Sequence, residues 1–267
     1  MDKITTQRNY RIVKSNDLVQ RSRYSLTEKE QKIILYLISL IKPDDTELQE
    51  YTFNLRDFCL ICGIDPDEGK NFRNIREAID SLKRKSFWIL QGNDLVSVDW
   101  IAKARIHTKT STATIRLDED LKPYLLQLKD NFTAYELEFV LAMRGVYALR
   151  LYELLKSYAF FGHYEVSIGD LRDKLQLFKK DKDGNLKTDP DGNPIPLYPD
   201  FRGLRRRVIE PAIEEINQFT DITIKFEPVR AGRKTVKIDF TISQKDYIER
   251  CTSIEYRLER LPQTKES

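Results

Sequence analysis

Apolar side chains at helical spacing mark the first clear element of the chain. They recur every three or four residues between positions 33 and 41, which predicts a helix with one buried face. Thr27-Glu28-Lys29-Glu30 has the sequence of a capping box, and Pro43 marks the end of the helix. The stripe could also form a dimer seam, but a helix of about four turns must bury its apolar side, which favours a core face. The stripe consists of Ile33, Ile34, Leu37, Ile38 and Ile41.

The pattern after this helix predicts a strand, two further helices and a β-hairpin. Tyr51-Thr52-Phe53 is typical of a short strand, and Asn54 is placed to cap the helix that follows. Another helix, with Asn71 as its cap, is expected to run to about Lys85. The residues beyond it predict strands near 95–107 and 112–117. Three helices followed by a hairpin, or wing, give the order of elements in a winged helix.

The second half of the chain repeats this order. Val166–Leu171 repeats the strand-to-helix entry of Phe53–Phe58, and Phe201–Arg205 repeats Phe72–Arg76. The longer offset of the second pair is explained by an insertion within 179–198, where Asp-Gly-Asn turn signals predict an exposed loop or small hairpin. Two divergent copies of one unit therefore predict an α+β protein of two tandem winged-helix domains related by an internal pseudo-repeat.

The repeat sets the expected domain boundaries. Residues 1–24 are polar and are expected to form an N-terminal arm that is mobile at its start. The first winged-helix domain is expected at 25–128, the second at 129–247, and a C-terminal tail at 248–267. Within the second domain, Thr133–Glu136 has the sequence of a capping box and predicts the start of a helix that is interrupted around Gly145.

The third helix of the second copy carries a cluster of arginines. Its apolar residues fall on one arc of a helical wheel, with Pro199 at the first helical position and Pro211 expected to kink the helix. Arg206 and Arg207 lie outside that arc and Arg202 lies at its edge. The wheel places Arg205 inside the arc, as it does Arg76 in the first copy, so that a structural ion pair and a DNA contact are equally supported there. The arc consists of Phe201, Leu204, Val208, Ala212, Ile216 and Phe219.

Positive charge is gathered into two segments although the net charge of the chain is only +3. Residues 198–237 hold nine Lys or Arg against six acidic residues, and residues 71–116 hold nine against four. Each segment contains the predicted third helix and wing of one copy. Basic patches on such elements are typical of a surface that binds duplex DNA.

The second copy also carries the motif of a known family. Leu149–Leu155, the series from Leu204 through Pro211, Glu215 and Asn217 to Ile222, and Gly232-Arg233 resemble the Rep_3-type plasmid replication initiators. The resemblance implies a protein that binds direct repeats, called iterons, at a plasmid origin as a monomer. It also implies an autorepressor that acts as a dimer, and recruitment of the host replication initiator and the replicative helicase.

DNA-binding roles can be assigned to both copies on this basis. The N-terminal residues of the third helix in the second copy are expected to contact base edges, and the wing residues to contact phosphates. The first copy lacks the arginine cluster, so we expect it to hold the DNA backbone or to support dimerisation. The candidate residues are Arg202, Arg205, Arg206, Arg207, Arg230, Arg233 and Lys234 in the second copy, and Arg73, Lys83, Arg84, Lys85, Lys103, Arg105 and Lys109 in the first.

Other kinds of site find little support in the sequence. Cys59-x-x-Cys62 lacks partners at zinc spacing, which favours two buried thiols. Asp181-x-Asp183-x-Asn185 resembles the start of a calcium loop, but Leu186 and Gly192 stand where that loop needs Gly and Glu. The sequence has no phosphate-binding loop of the Walker type. We therefore expect no cofactor, no metal and no catalytic residues.

Two rival functions remain. A metal-dependent nicking enzyme would need clustered metal ligands, and the chain has only two isolated histidines. A winged-helix transcription regulator without origin activity is distinguished poorly by sequence. No apolar run reaches the roughly 18 residues of a membrane span, and the first residues lack the apolar core of a signal peptide. A cytoplasmic protein without membrane partners is the expectation.

Overall fold

The computed structural model describes residues 3–64, 66, 70–182 and 184–261. The N-terminal segment is structured: it forms helix α1 (Lys3–Arg8), strand β1 (Arg11–Ser15), helix α2 (Asn16–Arg21) and the short strand β2 (Ser22–Arg23). The buried Arg8 ties this segment to the first domain, because its guanidinium donates to the carbonyls of Leu60 and Ile61. Residues 3–24 are therefore packed elements and not the mobile arm that their polarity suggests. Residues 1–2 lie outside the described residues.

The first copy has the order of elements that the sequence predicts. Helix α3 begins after a Thr27–Glu30 capping box in which both reciprocal hydrogen bonds are present, and Asn54 caps α4. Lys70 and not Asn71 occupies the N-cap of α5, without a side-chain hydrogen bond. The elements are α3 (Glu28–Ser39), β3 (Glu50–Asn54), α4 (Leu55–Ile61) and α5 (Asn71–Lys83).

The strands of the first copy form two hairpins where the sequence predicts one. The stretch 95–107 is broken at the buried Trp100, which packs on Phe87 with a ring separation of 4.3 Å. One hairpin joins β4 (Ser86–Gln91) and β5 (Asp94–Asp99), with β2 at its edge. The other hairpin is the wing, formed by β6 (Ile101–His107) and β7 (Thr112–Leu117). The wing lies in a sheet of strand order β3–β7–β6.

A short linker and a two-stranded sheet follow the first copy. The linker consists of a single 3₁₀ turn and the short helix α6 (Lys122–Leu125). Strand β8 (Phe132–Glu136) then pairs antiparallel with β1. The predicted capping box at Thr133–Glu136 is therefore wrong, because these residues pair with the N-terminal segment and the helix begins only at Leu137.

The helix after β8 is interrupted where the sequence predicts it. Helix α7 (Leu137–Ala142) ends before Gly145, and α8 (Val146–Lys156) begins after it. The Glu215 carboxylate accepts from the backbone N–H groups of Arg144 and Gly145, each at 2.9 Å. A side chain at position 145 would lie 3.3 Å from that carboxylate, so glycine provides the close approach.

The second copy repeats the topology of the first. After α8 come β9 (His163–Ser167), α9 (Ile168–Leu175), α10 (Phe201–Leu204), a π-helical turn at Arg205–Ile209, α11 (Glu210–Phe219), β10 (Ile222–Ala231) and β11 (Lys234–Gln244). The last strand of the wing, β11, lies between β10 and β9, just as β7 lies between β6 and β3. The fold prediction of two winged-helix domains related by a pseudo-repeat is thus confirmed.

A final helix joins the two halves. Helix α12 (Tyr247–Arg260) begins with a capping box of Asp246 and Glu249. Its buried Arg257 donates to the carbonyl of Phe219 in the second copy and forms a 2.8 Å ion pair with Glu138 of α7. Most of the predicted C-terminal tail is thus a packed helix, and residues 262–267 lie outside the described residues.

Candidate nucleic-acid interface

The third helix of the second copy begins at Phe201, two residues after Pro199. Asp200 is the N-cap, and its carboxylate accepts from the backbone N–H of Gly203 at 2.7 Å. Pro199 therefore lies outside the helix and not at its first position. Arg172 of α9 fixes this start, because its guanidinium donates to the carbonyls of Tyr198 and Pro199 at 2.6 and 2.8 Å. Sequence reasoning did not identify this role of Arg172.

The helix continues from α10 through a π-helical turn into α11. In that turn the N–H of Glu210 donates to the carbonyl of Arg205, five residues earlier. Pro211 has no N–H, and in a regular helix its ring would press against the carbonyl of Arg207. A widened turn just before the proline accommodates both effects, so the expected kink takes the form of a π turn.

The apolar arc of this helix is confirmed, and Arg205 does not belong to it. Leu204, Val208, Ala212, Ile216 and Phe219 are buried, and Phe201 is half-buried. The π turn adds a residue to one turn and changes the phase of the wheel after Arg205, and the Arg205 side chain is exposed. Arg76 in the first copy is also exposed.

Arg205 is held at the side of the helix. Its Nε lies 2.7 Å from the Glu210 carboxylate, and its guanidinium lies 5.7 Å from the ring centre of Phe226 in β10. Arg202, Arg206 and Arg207 are exposed, and across the described ranges none of the three takes part in an ion pair. Three guanidinium groups are therefore available to an external anion, whereas Arg205 already has an acidic partner.

The wing of the second copy projects beyond its sheet. Strand β9 pairs with β11 only as far as Lys237, so the last residue pairs and the turn extend about 10 Å past the third strand. The turn contains Gly232 with φ +61°, the conformation that glycine favours at the first position of a two-residue hairpin loop. Arg230, Arg233 and Lys234 are exposed at this tip. The predicted wing cations thus lie together on one projecting ribbon.

A cleft of about 470 Å³ separates the wing from the start of the third helix. Its walls are the first turn of α9, the cap around Asp200 and the beginning of β11 with Arg233 and Lys234. Helix start and wing therefore form the two sides of one groove. A phosphodiester backbone lying along the groove would contact both.

The polar residues of the motif in α11 hold this helix in place. Asn217 pairs with the backbone of Ile224 in β10 through two hydrogen bonds of 3.0 and 2.7 Å. Asp221 accepts from Tyr152 and Lys156 of α8. Together with Glu215, these side chains attach the arginine-bearing helix to the wing and to the first helix of the same domain.

More of the candidate residues form ion pairs in the first copy than in the second. Arg73, Arg84, Lys85 and Lys103 form ion pairs with Glu77, Asp80, Glu30 and Glu50 respectively. Lys85 is half-buried, and its ammonium contacts both oxygens of the Glu30 carboxylate at 2.7 Å. Lys83, Arg105 and Lys109 are exposed. The first wing is braced along its whole length, since β3 pairs with β7 as far as Thr112.

The structure also describes the groups considered for other chemistry. Cys59 and Cys62 are buried free thiols, as predicted, and desolvation raises their pKa values to about 11 and about 12. Among the described residues no group of three or more His, Cys, Asp or Glu could hold a metal ion. Asp183 of the calcium-like stretch lies outside the described residues. No helix in the described part of the chain is long and apolar enough to cross a membrane.

Relatives of the chain share both halves of this architecture. PI protein of Escherichia coli is 30% identical over 156 residues, which cover 55% of this chain and 48% of that protein, so the match spans about half of the relative. A replication initiation protein of Escherichia coli is 25% identical over 255 residues, covering 91% of this chain and 73% of that protein.

A solved structure has the same fold. The crystal structure of Pi initiator protein in complex with iteron DNA superposes with a TM-score of 0.69 at 20% identity, over 90% of this chain and 99% of that one. The profile described as "Initiator Replication protein, WH1" matches residues 11–156, and that described as "Initiator Rep protein, WH2" matches residues 167–242. The chain therefore belongs to the family of initiator replication proteins with tandem winged-helix domains.

Proposed function

We propose that this chain is a plasmid replication initiator that binds double-stranded iterons at its origin. One observation supports the proposal most directly: the third helix of the second domain presents three exposed arginines that form no ion pair with any described residue. They lie beside a projecting wing with three more cations. Arg202, Arg206 and Arg207 are the proposed readers of base edges, since a guanidinium can donate two hydrogen bonds to guanine. Relatives named for replication initiation and for iteron DNA support this assignment.

The remaining cations have proposed roles in holding the duplex. Arg230, Arg233 and Lys234 contact phosphates next to the major groove that the third helix enters. Arg205 supports the helix through its pair with Glu210 and contacts DNA only secondarily. In the first domain, Lys83, Arg105 and Lys109 contact the backbone of the same duplex, and the paired residues Arg73, Arg84, Lys85 and Lys103 contribute less because DNA must first displace their acids.

Self-association is proposed for the first domain. The β4–β5 hairpin exposes Trp88, Leu90 and Leu95. Trp88 is 52% exposed and Leu95 is 61% exposed. These residues share one face of an edge hairpin, since Leu90 pairs directly with Leu95. An exposed apolar sheet face at an edge suits a second copy of the chain. A dimer of this kind would repress the protein's own gene, while the monomer binds iterons.

Initiation then follows from strain and recruitment without catalysis by this chain. Several copies bound to adjacent repeats bend the origin, and the host replication initiator and replicative helicase are recruited to it. A transcription regulator would bind DNA through the same surface, so the arrangement of the binding sites distinguishes the two functions. Repeats in one direction favour the initiator, and a single palindrome favours the regulator.

The proposed function is tested by footprinting the purified chain on the DNA beside its own gene. We expect a series of protected direct repeats, with the same positions of each strand protected in every repeat. Arg206→Ala should lower affinity for the repeat by about 5- to 150-fold at fixed salt, the equivalent of roughly 1–3 kcal/mol for one base contact. Cleavage of supercoiled plasmid in the presence of divalent metal would instead favour the nicking enzyme.

A matched control is an exposed arginine that already has an acidic partner. Arg21 is half-exposed and forms an ion pair with Asp17 on its own helix. Arg21→Ala should leave repeat affinity unchanged. An Arg206→Ala protein that binds as tightly as the unmodified chain would rule out the proposed reading helix.

A further inference from the structure

The insertion before the third helix of the second domain is a three-way junction of short strand pairs. The backbone N–H of Lys179 donates to Ile195, that of Ile195 donates to Lys187, and that of Lys187 donates to Lys179, all at 2.8–2.9 Å. Three isolated bridges extend outward from this ring of hydrogen bonds. The ring residues are spaced eight apart. The insertion is therefore a built element with one stem and two hairpins.

The two hairpins close with the same local sequence. Asp181 accepts from the N–H of Asn185 at 2.9 Å, and Asp189 accepts from the N–H of Asn193 at 2.8 Å. Gly184 and Gly192 have φ values of +88° and +83°, which the turns require. The described residues of the two turns thus share this hydrogen bond and a positive φ at glycine.

The hairpins differ in charge. The basic hairpin (residues 179–187) exposes four lysines, and the acidic hairpin (residues 188–194) holds Asp189 and Asp191 without any Lys or Arg. The lysines of the basic hairpin are Lys179, Lys180, Lys182 and Lys187. The basic hairpin also contains the acids Asp181 and Asp183, so its four lysines stand against two acids. The two hairpins therefore share a turn sequence but carry opposite net charge.

The stem ties the insertion to the start of the DNA-binding helix. Leu197 closes the stem with a 2.9 Å hydrogen bond to Leu177. Only two residues lie between Leu197 and the cap at Asp200, a span of at most about 10 Å. Arg172 fixes the intervening carbonyls of Tyr198 and Pro199. The insertion therefore cannot swing freely away from the N-terminal end of the helix, which is the end that enters the groove in a helix-turn-helix.

The insertion and the wing lie at opposite ends of α9. Residues of the wing line a cleft with the first turn of α9, whereas the insertion begins at the last turn of this helix. Eight helical residues separate the two ends by about 12 Å. The wing and the base of the insertion thus adjoin opposite ends of α9.

The basic hairpin also approaches the first domain. Desolvation lowers the pKa of Lys180, and the ammonium of Lys85 at the end of α5 adds to that effect. Lys83 and Arg84 are exposed at the same end of α5. Lys180 of the basic hairpin therefore lies within the electrostatic reach of Lys85, and a phosphate backbone along the hairpin would favour the charged form of Lys180.

We propose that the basic hairpin is a further DNA-backbone contact, which grips phosphates flanking the repeat on the side opposite the wing. Lysine is suited to this role because its ammonium is a mobile point charge that contacts phosphates without reading bases. The inference deepens the proposed function and rests on it for the orientation of the duplex. With this contact the protein would cover a longer stretch of duplex than the third helix and the wing cover alone.

The test replaces two lysines of the hairpin in the full chain, as Lys182→Gln/Lys187→Gln. Each phosphate contact contributes about 0.9 to the slope of log affinity against log salt, so the slope should fall by about 1.8. At about 0.15 M salt this corresponds to roughly 5-fold lower affinity per lysine. Hydroxyl-radical footprints should lose protection at one flank of the repeat and keep it at the centre.

Two matched variants separate charge from structure. Lys182→Arg/Lys187→Arg should retain the slope of the unmodified chain, and Asp191→Asn in the acidic hairpin should not reduce affinity. An unchanged slope and an unchanged footprint in the glutamine variant would overturn the proposal. If the unmodified chain binds the repeat no better than unrelated DNA, the proposed function is wrong. The salt slope of binding to unrelated duplex would still test the hairpin contact separately.

Discussion

At the scale of single residues, Arg205 shows where reading a helical wheel from sequence reaches its limit. The wheel assumes 100° per residue, and it misplaces both Arg205 and Arg76, which are exposed. Pro211 breaks this assumption by inducing a π turn, which no local pattern specifies in advance. The apolar positions were predictable because burial selects them by residue type. The direction of Arg205 depended on backbone geometry that only the folded chain displays.

The contact between Arg205 and Glu210 leads to the first prediction at this scale. Because both side chains are about half-exposed, we expect a coupling free energy of only about 0.2–1 kcal/mol in a double-mutant cycle of thermal unfolding. The variants are Arg205→Ala, Glu210→Ala and the pair. Arg205→Ala should lower repeat affinity less than Arg206→Ala does. A larger loss for Arg205→Ala, without coupling to Glu210, would make Arg205 a direct reader.

At the scale of elements, the repeat made most of the fold predictable. Strand-to-helix entries such as Phe53–Phe58 and Val166–Leu171 carry their own caps and apolar residues, so both copies could be recognised. Strand β8 could not, because its Thr133–Glu136 sequence satisfies a local helix-start pattern and only the partner strand β1 decides otherwise. Helix α12 was missed for a related reason: it is largely polar outside and is anchored by Arg257, whose partners are distant in sequence.

The difference between the two wings supports a prediction for the second one. Arg233 lies in the turn of a ribbon that extends past its third strand, so Arg233→Ala should weaken binding to the repeat and to unrelated duplex about equally. The salt slope should fall by about 0.9 on both. Lys237→Ala is the control, since Lys237 lies on the same wing strand but pairs with Glu165 at 2.7 Å. A loss confined to the repeat would assign Arg233 to base reading.

At the scale of the whole molecule, a buried charged cluster joins the N-terminal segment to the second domain. Lys14 of β1 and Glu153 of α8 form an ion pair in which both side chains are almost fully buried. Tyr135 of β8 also donates to Glu153, and Arg150 lies 3.9 Å from the same carboxylate. Arg150 and Glu153 lie together in the Leu149–Leu155 motif, whereas Lys14 is far from them in sequence. The pairing of Lys14 with Glu153 attaches the N-terminal segment to α8, and no local sequence pattern indicates it.

This cluster yields a prediction for stability. Glu153→Gln leaves the Lys14 ammonium buried without a counter-charge, so the free energy of unfolding of the full chain should fall by about 3–5 kcal/mol. Lys14→Met/Glu153→Gln should recover part of the loss, because it removes the buried charge. Denaturant unfolding followed by circular dichroism measures both. A Glu153→Gln variant that unfolds at the midpoint of the unmodified chain would show that the cluster does not stabilise the junction.

The pH dependence of the same variant provides an independent test. Burial lowers the pKa of Lys14 below its ordinary value of 10.5, and Glu153 acts against that shift. Removing Glu153 therefore lowers the pKa in the folded state further, while the unfolded value stays the same. Between the two values the unfolded chain binds more protons, so stability of the variant rises with pH. Its deficit relative to the unmodified chain should narrow as the pH is raised from 7 towards 10. A constant deficit would mean that the loss arises from packing and not from the stranded charge of Lys14.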